Sequence, residues 1–146
     1  LKTGESSRAS TVPPVANEID VSVPSNFERL QCFYNNDSDL LRSEIKGYSY
    51  DDEAICSAIR EMNDKFGYLS CPHSATGYLA VRESGAYGFW LSTAHYAKFI
   101  NVVSDAIGAE IPLIEPFLSI SQREGAHTDL PAEPELVKEV IKQYLP

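Results

Sequence analysis

The sequence predicts an α/β protein in which helices dominate and the sheet is incomplete within the chain. Apolar residues recur at helical spacing in about six segments, whereas only residues 87–91 (YGFWL) form a continuous apolar run typical of a buried strand. A single strand cannot satisfy its own backbone donors and acceptors. The chain offers at most residues 19–23 and 111–114 as neighbours. We therefore expect the rest of the sheet to lie outside this chain.

The first part of the chain is predicted to hold a lead-in and two helices. Residues 1–24 are rich in Ser, Thr, Pro and Gly without a sustained period, which is typical of a loop or extended segment. A helix is predicted to begin at Ser25, because Glu28 three residues later completes a capping box. A second helix is predicted over residues 39–46, before Gly47.

The clearest helix is predicted over residues 51–66. Asp51 or Asp52 is suited to cap its start, and Gly67 to end it. Its apolar side chains fall on one face: Ile55, Ala58, Ile59, Met62 and Phe66. Such a stripe predicts packing in the core.

Three further helices are predicted from the same spacing, over residues 73–83, 96–107 and 134–145. Pro72 precedes the first of them, and Gly85 and Gly108 follow the first and the second. We expect one domain over residues 1–146, in which residues 25–108 hold the helices and the strand. Residues 109–146 are then a loop and the terminal helix.

Size and charge restrict the possible functions. The chain has 146 residues, which suits one core, and a formal net charge of −9, which disfavours binding to nucleic acid. No apolar run approaches the roughly 18–20 residues that span a bilayer, and the first residues do not resemble a signal peptide. The spacing of the three cysteines predicts free thiols of a reducing compartment. We therefore expect a cytoplasmic protein without nucleic-acid or membrane partners.

Polar residues directly follow the predicted strand, where α/β enzymes hold ligands. Ser92, Thr93 and His95 lie there, but no G-x-S-x-G motif supports a hydrolase. His73, His95 and His127 share no short helical spacing that would indicate a metal site. Residue spacing alone therefore assigns neither a catalytic residue nor a metal ligand.

Four segments, taken in order, form a combination of motifs: EIDVSVPSNFERL (residues 18–30), CPHSATGYLA (71–80), YGFWLSTAHYAKF (87–99) and LPAEPELVKEVI (130–141). Together they resemble the C-terminal part of the threonine synthase family. The family typically carries A-M-D-I-x-x-P-S-N-F-E-R, then an acidic residue before P-H-[ST]-A-x-G, then S-T-A-H-P-A-K-F. The segments cover nearly the whole chain, and their combination is specific.

The resemblance implies a fold and a reaction. The family has the tryptophan-synthase-like fold (fold type II) of pyridoxal 5'-phosphate (PLP) enzymes, and this chain would be the helix-rich C-terminal part of its large lobe. The family converts O-phospho-L-homoserine and water to L-threonine and phosphate. The chain would be about the last third of a longer enzyme and would need its N-terminal part as a partner. The lysine that binds PLP covalently and the phosphate loop precede the matching region, so the chain alone is expected to be inactive.

The resemblance also implies cofactor-binding residues. Thr93 matches the hydroxyl that meets the pyridine nitrogen of PLP, and Cys71 lies in a segment expected near the cofactor. A neutral hydroxyl leaves the ring nitrogen largely unprotonated, which favours elimination and replacement over transamination. Alternatively, Thr93 is only a hydroxyl at a helix start.

Asn26 and Arg29 are implied to bind the substrate, because a helix start with a nearby arginine suits an anion. Alternatively, this helix start supports the interface between lobes. Two residues depart from the family pattern: Cys71 replaces the acidic residue, and Tyr96 replaces a proline. The run Asn17-Glu18-Ile19 also departs from it. The alternative function is therefore a non-catalytic relative that acts as a binding or interaction module.

Overall fold

The computed structural model describes residues 13–17, 26–125 and 127–144, and its regular structure in these ranges is helical. The α-helices are α1 (Phe27–Phe33), α2 (Ser38–Glu44), α3 (Asp52–Phe66), α4 (Pro72–Ser84), α5 (Ile100–Ile107), α6 (Phe117–Ser121) and α7 (Pro134–Tyr144). A 3-10 turn, Tyr96–Phe99, precedes α5. None of the helices in the described ranges is long and apolar enough to cross a membrane.

The chain divides into two compact units, Leu1–Leu113 and Ile114–Pro146. The first unit contains α1 to α5, and the second contains α6 and α7. In the first unit, α3 packs against both α4 and α5. The second unit has two helices without a buried residue.

The core of the first unit lies between α3, α4 and α5. Its buried members are Ile55, Ala58, Ile59, Met62, Cys71, Ala75, Leu79, Phe99, Val103 and Ala106. Ile59 and Val103 have no exposed surface. The predicted apolar stripe of α3 is thus confirmed except at its last member, since Phe66 in the final turn is 65% exposed.

Local signals set the ends of these helices. The Asp51 side chain accepts a hydrogen bond from the Ala54 N–H at 2.8 Å and caps α3. Gly67 and Gly85, after α3 and α4, have positive φ angles of 62°, a conformation that glycine adopts without strain. The predicted ends at these glycines are confirmed.

The first two helices differ slightly from their predicted positions. Asn26 is the N-cap of α1 and makes no capping bond with its side chain. Ser25, the predicted cap, and residues 19–23 lie outside the described ranges. Helix α2 begins at Ser38 because the Asp37 side chain accepts hydrogen bonds from two backbone N–H groups at 3.0 Å. It ends at Glu44, before the predicted end at residue 46, because Ile45 is already extended.

The prediction of a buried strand over residues 87–91 is wrong for this structure. Within the described ranges these residues form no strand, and Tyr87, Phe89 and Leu91 are 109%, 83% and 73% exposed. Residues 111–114 form no strand either. An apolar run becomes a strand only when a neighbour completes its hydrogen bonds, and no described segment does so here.

One residue of this run is held against α4. The Trp90 side chain lies over Gly77, where an added Cβ would come within 3.0 Å of the indole ring. The ring also meets Tyr78 edge to face at 5.6 Å. Trp90 therefore fixes the segment that leads to Ser92 and Thr93.

Replacing Gly77 with alanine tests this contact. We expect Gly77→Ala to displace the Trp90 ring and to change the tryptophan fluorescence, which reports one site because the chain has one tryptophan. Gly88→Ala is the matched control, since a Cβ there meets no atom within 4 Å. Identical spectra for the two variants would contradict the contact.

The prediction for the C-terminal segment is partly confirmed. Helix α7 begins at Pro134 as predicted and is described to Tyr144. Helix α6 was not predicted, since its five residues follow Pro116 without a capping side chain. The apolar residues of α7 are exposed or half-buried in this unit, with Ile141 at 53%.

Candidate functional site

A polar cluster lies at the start of α4. We call it the Ser74 cluster: Tyr68, Cys71, Ser74, Ser92 and the backbone of Thr93. Cys71 is the N-cap of α4, and Pro72 occupies the first turn, where its missing N–H costs no hydrogen bond. The Ser74 N–H donates to Cys71 Sγ at 3.4 Å. This capping turn points the Ser74 hydroxyl toward the segment that follows Trp90.

The Ser74 hydroxyl joins three groups. Its oxygen lies 3.0 Å from Cys71 Sγ, and its O–H donates to Ser92 Oγ at 3.2 Å. It also accepts from the Thr93 N–H at 3.3 Å. A hydroxyl has one proton and two acceptor positions, so these contacts use its full capacity. Ser74 is 1% exposed, so the contacts replace its hydration.

The Ser92 hydroxyl lies at the edge of a cleft. Its oxygen accepts from Ser74 and from the Tyr68 hydroxyl, the latter at 3.3 Å. The cleft has a volume of about 270 Å³ and is lined by Gly67, Tyr68, Leu69, Ser92, Ala94, His95 and Tyr96. His95 Nδ1 accepts from the Ala97 N–H at 3.2 Å, so its proton lies on Nε2. The cleft thus combines hydroxyl and imidazole groups.

Thr93 lies outside the lining of this cleft. Its neighbours Ser92 and Ala94 line the cleft, whereas the Thr93 side chain is exposed. The Thr93 backbone N–H donates to the Ser74 hydroxyl, whereas the Thr93 hydroxyl has no hydrogen-bond partner among the described residues.

The predicted cofactor residues meet at one serine. Cys71 is 1% exposed and contacts the Ser74 hydroxyl from one side, while the Thr93 backbone contacts it from another. Ser74 was not among the residues predicted from the sequence to belong to the site. The signal was the [ST] position of the P-H-[ST]-A motif, which indicates that a hydroxyl is needed.

The predicted substrate residues lie elsewhere. Asn26 and Arg29 are exposed at the first turn of α1, a helix of seven residues. Within the described ranges, no hydrogen bond or salt bridge joins them to the Ser74 cluster. Their substrate role stays a prediction.

A second cavity adjoins Tyr68 in the first unit. It has a volume of about 380 Å³ and is lined by Met62, Phe66, Tyr68 and Trp90. Its walls are apolar, apart from the tyrosine hydroxyl. Tyr68 and Trp90 thus line an apolar cavity next to the polar cluster.

His73 lies beside the cluster with an unpaired ring nitrogen. Its Nδ1 is buried without a hydrogen-bond partner among the described residues, and its ring packs on Phe99 at 5.1 Å. The part of the chain that the structure describes contains no group of three His, Cys, Asp or Glu residues that could hold a metal ion. The contact that the structure shows for the His73 ring is thus its packing on Phe99.

The shifted pKa values belong to groups outside the cleft. Burial, together with a 2.8 Å hydrogen bond to Glu83, raises the pKa of Tyr50 to about 12. A hydrogen bond from Lys65, at 2.6 Å, lowers the pKa of Glu61, which also pairs with Arg82. The pair Glu61–Arg82 connects α3 to α4, and Tyr50 connects the segment before α3 to α4. None of these residues lines the cleft.

Comparison with known proteins identifies similar sequences. The family model described as threonine synthase, C-terminal, matches residues 74–141, which include Ser74 and Thr93. Threonine synthase of Serratia marcescens is 34% identical over 116 residues, which are 77% of this chain and 27% of that protein. Threonine synthase of Escherichia coli strain K12 is 32% identical over 136 residues, 91% of this chain and 31% of that protein.

Comparison of structures gives similar proteins of the same name. The crystal structure of threonine synthase from Escherichia coli matches 99% of this chain and 34% of that chain, with a TM-score of 0.76 and 28% identity. The structure of PLP-bound threonine synthase from Brucella melitensis matches 94% of this chain and 35% of that chain, with a TM-score of 0.65 and 26% identity. The chain therefore spans between about a quarter and a third of the relatives that it matches.

Proposed function

Because the chain is related in sequence and structure to the C-terminal part of threonine synthases, we propose that it forms this part of such an enzyme. The enzyme converts O-phospho-L-homoserine and water to L-threonine and phosphate, and it has the fold type II architecture. One observation carries the assignment to a site. Ser74 holds Thr93 by its backbone, and the threonine hydroxyl remains exposed and unpartnered within the described ranges.

The proposed cofactor is PLP, which the Brucella melitensis relative binds. An exposed hydroxyl on a fixed backbone suits the pyridine nitrogen, because it can donate one hydrogen bond to an unprotonated ring. The Thr93 side chain thus fits this group. When bound, PLP withdraws electrons from the substrate carbon where bonds are broken and formed.

The residues of this chain have separate parts in the proposed mechanism. Thr93 orients the ring and stays neutral, which limits electron withdrawal and favours elimination and replacement. Cys71 caps α4 and contacts the Ser74 hydroxyl, which holds Thr93. Arg29 and Asn26 bind the phosphate of the substrate, because a guanidinium pairs well with phosphate oxygens. The covalent lysine and the phosphate loop come from the N-terminal part of the enzyme.

The thiol of Cys71 occupies the position where the family pattern has an acidic residue. We expect Cys71→Asp to keep turnover of the full-length enzyme within about tenfold, or about 1.4 kcal/mol. Aspartate is a preferred N-cap and can accept the hydrogen bond from the Ser74 N–H that Cys71 Sγ now accepts. Cys71→Val is the contrast, because it removes this acceptor.

Steady-state rates and circular dichroism of both variants check this prediction. Retained activity of Cys71→Asp with a less stable Cys71→Val would support the capping role. Loss of folding in Cys71→Asp would show that the position requires an apolar residue and that the proposed equivalence is wrong.

The test of the proposed function compares the full-length protein with this chain. We expect the full-length protein to bind PLP and to release phosphate and threonine from O-phospho-L-homoserine. The 146-residue chain, purified alone, is expected to retain no PLP. A borohydride-reducible PLP adduct mapped to Lys98 in the isolated chain would contradict the proposal that the covalent lysine lies in the N-terminal part of the enzyme.

A non-catalytic interaction module is the second candidate. It is favoured by the exposed apolar residues Tyr87, Phe89 and Leu91 and by the departure at Cys71. The same assay separates the two candidates. A full-length protein that folds but neither binds PLP nor releases phosphate would favour the interaction module.

A further inference from the structure

Ser74 is a buried polar side chain, 1% exposed. A buried hydroxyl is stable only when its hydrogen bonds are made, and Ser74 makes them to groups from two parts of the chain. Cys71 is the N-cap of α4, the helix that contains Ser74. Ser92 and Thr93 lie 18 and 19 residues after Ser74. Ser74 therefore connects α4 to the segment that carries Thr93.

The contacts of Ser74 all involve one hydroxyl group. It donates to Ser92 Oγ and accepts from the Thr93 N–H, and it lies 3.0 Å from the Cys71 thiol, where either group can donate. The three contacts do not compete with one another, since a hydroxyl offers one donor and two acceptor sites. Removing the hydroxyl would leave both Thr93 N–H and Ser92 Oγ without this partner.

The segment that contains Thr93 has few other supports. Residues 87–95 belong to no helix or strand, and several of their apolar side chains are exposed. Trp90 contacts α4 at Gly77. Further along the segment, Ser92 contacts Ser74 and Tyr68, and the Thr93 N–H contacts Ser74. The position of the Thr93 backbone therefore depends on the Ser74 hydroxyl.

We propose that Ser74 is a positioning residue, which holds the Thr93 backbone so that the Thr93 hydroxyl meets the pyridine nitrogen of PLP. This inference rests on the proposed function, because it requires Thr93 to contact the cofactor. Ser74 does not touch the cofactor itself. Its effect on PLP binding passes through Thr93.

A double-mutant cycle in the full-length holoenzyme tests this role. PLP dissociation constants and the absorbance and fluorescence spectra of bound PLP are measured for Ser74→Ala, Thr93→Val and the double variant. We expect Ser74→Ala to weaken PLP binding on the order of tenfold and to shift the PLP spectrum. In the Thr93→Val background, Ser74→Ala should add less than about threefold, because Ser74 acts through Thr93.

Two further variants separate positioning from general stability. Ser84→Ala removes another hydroxyl of α4, which donates to the Val81 carbonyl on an exposed turn, and should leave PLP binding unchanged. Ser74→Thr keeps the hydroxyl and should retain the parental spectrum. Melting temperatures measured without PLP show whether each variant folds.

Each outcome decides between two explanations. Additive effects of Ser74→Ala and Thr93→Val would overturn the inference, since they indicate independent roles. An unchanged Ser74→Ala protein beside an impaired Thr93→Val protein would also overturn it, while leaving the proposed function standing. An unchanged Thr93→Val protein that binds PLP would overturn the proposed role of Thr93 and the inference with it.

Discussion

Thr93→Val in the full-length enzyme is expected to lower cofactor affinity or turnover on the order of ten- to a hundredfold. Valine keeps the shape of threonine but removes the hydroxyl, so the pyridine nitrogen of PLP faces a methyl group. An unpaired buried polar group costs about 1–3 kcal/mol, which corresponds to this range. Phosphate release, threonine yield and PLP retention measure the effect.

Two further substitutions at Thr93 test whether a neutral hydroxyl is needed at the ring nitrogen of PLP. Thr93→Ser retains the hydroxyl and should keep most of the activity. Thr93→Asp places a carboxylate at the ring nitrogen, which favours the protonated ring and should raise transamination relative to threonine formation. A Thr93→Val enzyme that matches the parent in all three measurements would exclude Thr93 as the partner of the ring nitrogen.

Ile59→Ala is expected to lower the free energy of unfolding by about 2–5 kcal/mol. The Ile59 side chain has no exposed surface and belongs to the core between α3, α4 and α5. Its truncation loses apolar contacts and leaves a cavity, because neighbouring helices relax only partly. Since small domains are stable by only about 5–15 kcal/mol, this is a large fraction of the total.

Urea denaturation followed by circular dichroism checks this prediction. Ile120→Ala is the matched control, because Ile120 is 56% exposed in α6. We expect its effect to stay within about 0.5 kcal/mol. Equal losses for the two variants would contradict the assignment of the core.

The sequence predicted both ends of α3 well because the signals at these ends are local. Asp51 caps α3 through a backbone N–H three residues away, and Gly67 ends the same helix with a positive φ angle. Both depend on a few neighbouring residues. The core face of α3 followed from the helical period, apart from Phe66 in the last turn, where the helix end exposes the side chain.

The predicted strand failed because its formation depends on distant residues. The run from Tyr87 to Leu91 has the composition of a buried strand, but a strand also needs a hydrogen-bonding neighbour. No described segment supplies one. The chain spans about a third of the relatives that it matches.

The candidate site was predicted in part. Thr93 and Cys71 came from the family resemblance, and their common contact with Ser74 appears only in three dimensions. Sequence spacing does not show that residues 74 and 93 meet, because 19 positions separate them. Asn26 and Arg29 were placed by the same resemblance, but the described residues offer no contact that joins them to the cluster.

A crystal structure of the full-length enzyme with PLP bound tests the central claim most directly. The quantity to measure is the distance between Thr93 Oγ1 and the pyridine nitrogen. We predict a hydrogen bond of about 2.7–3.2 Å, with the Thr93 N–H still bonded to the Ser74 hydroxyl. A different side chain at the ring nitrogen, with Thr93 beyond hydrogen-bonding distance, would contradict the proposed site.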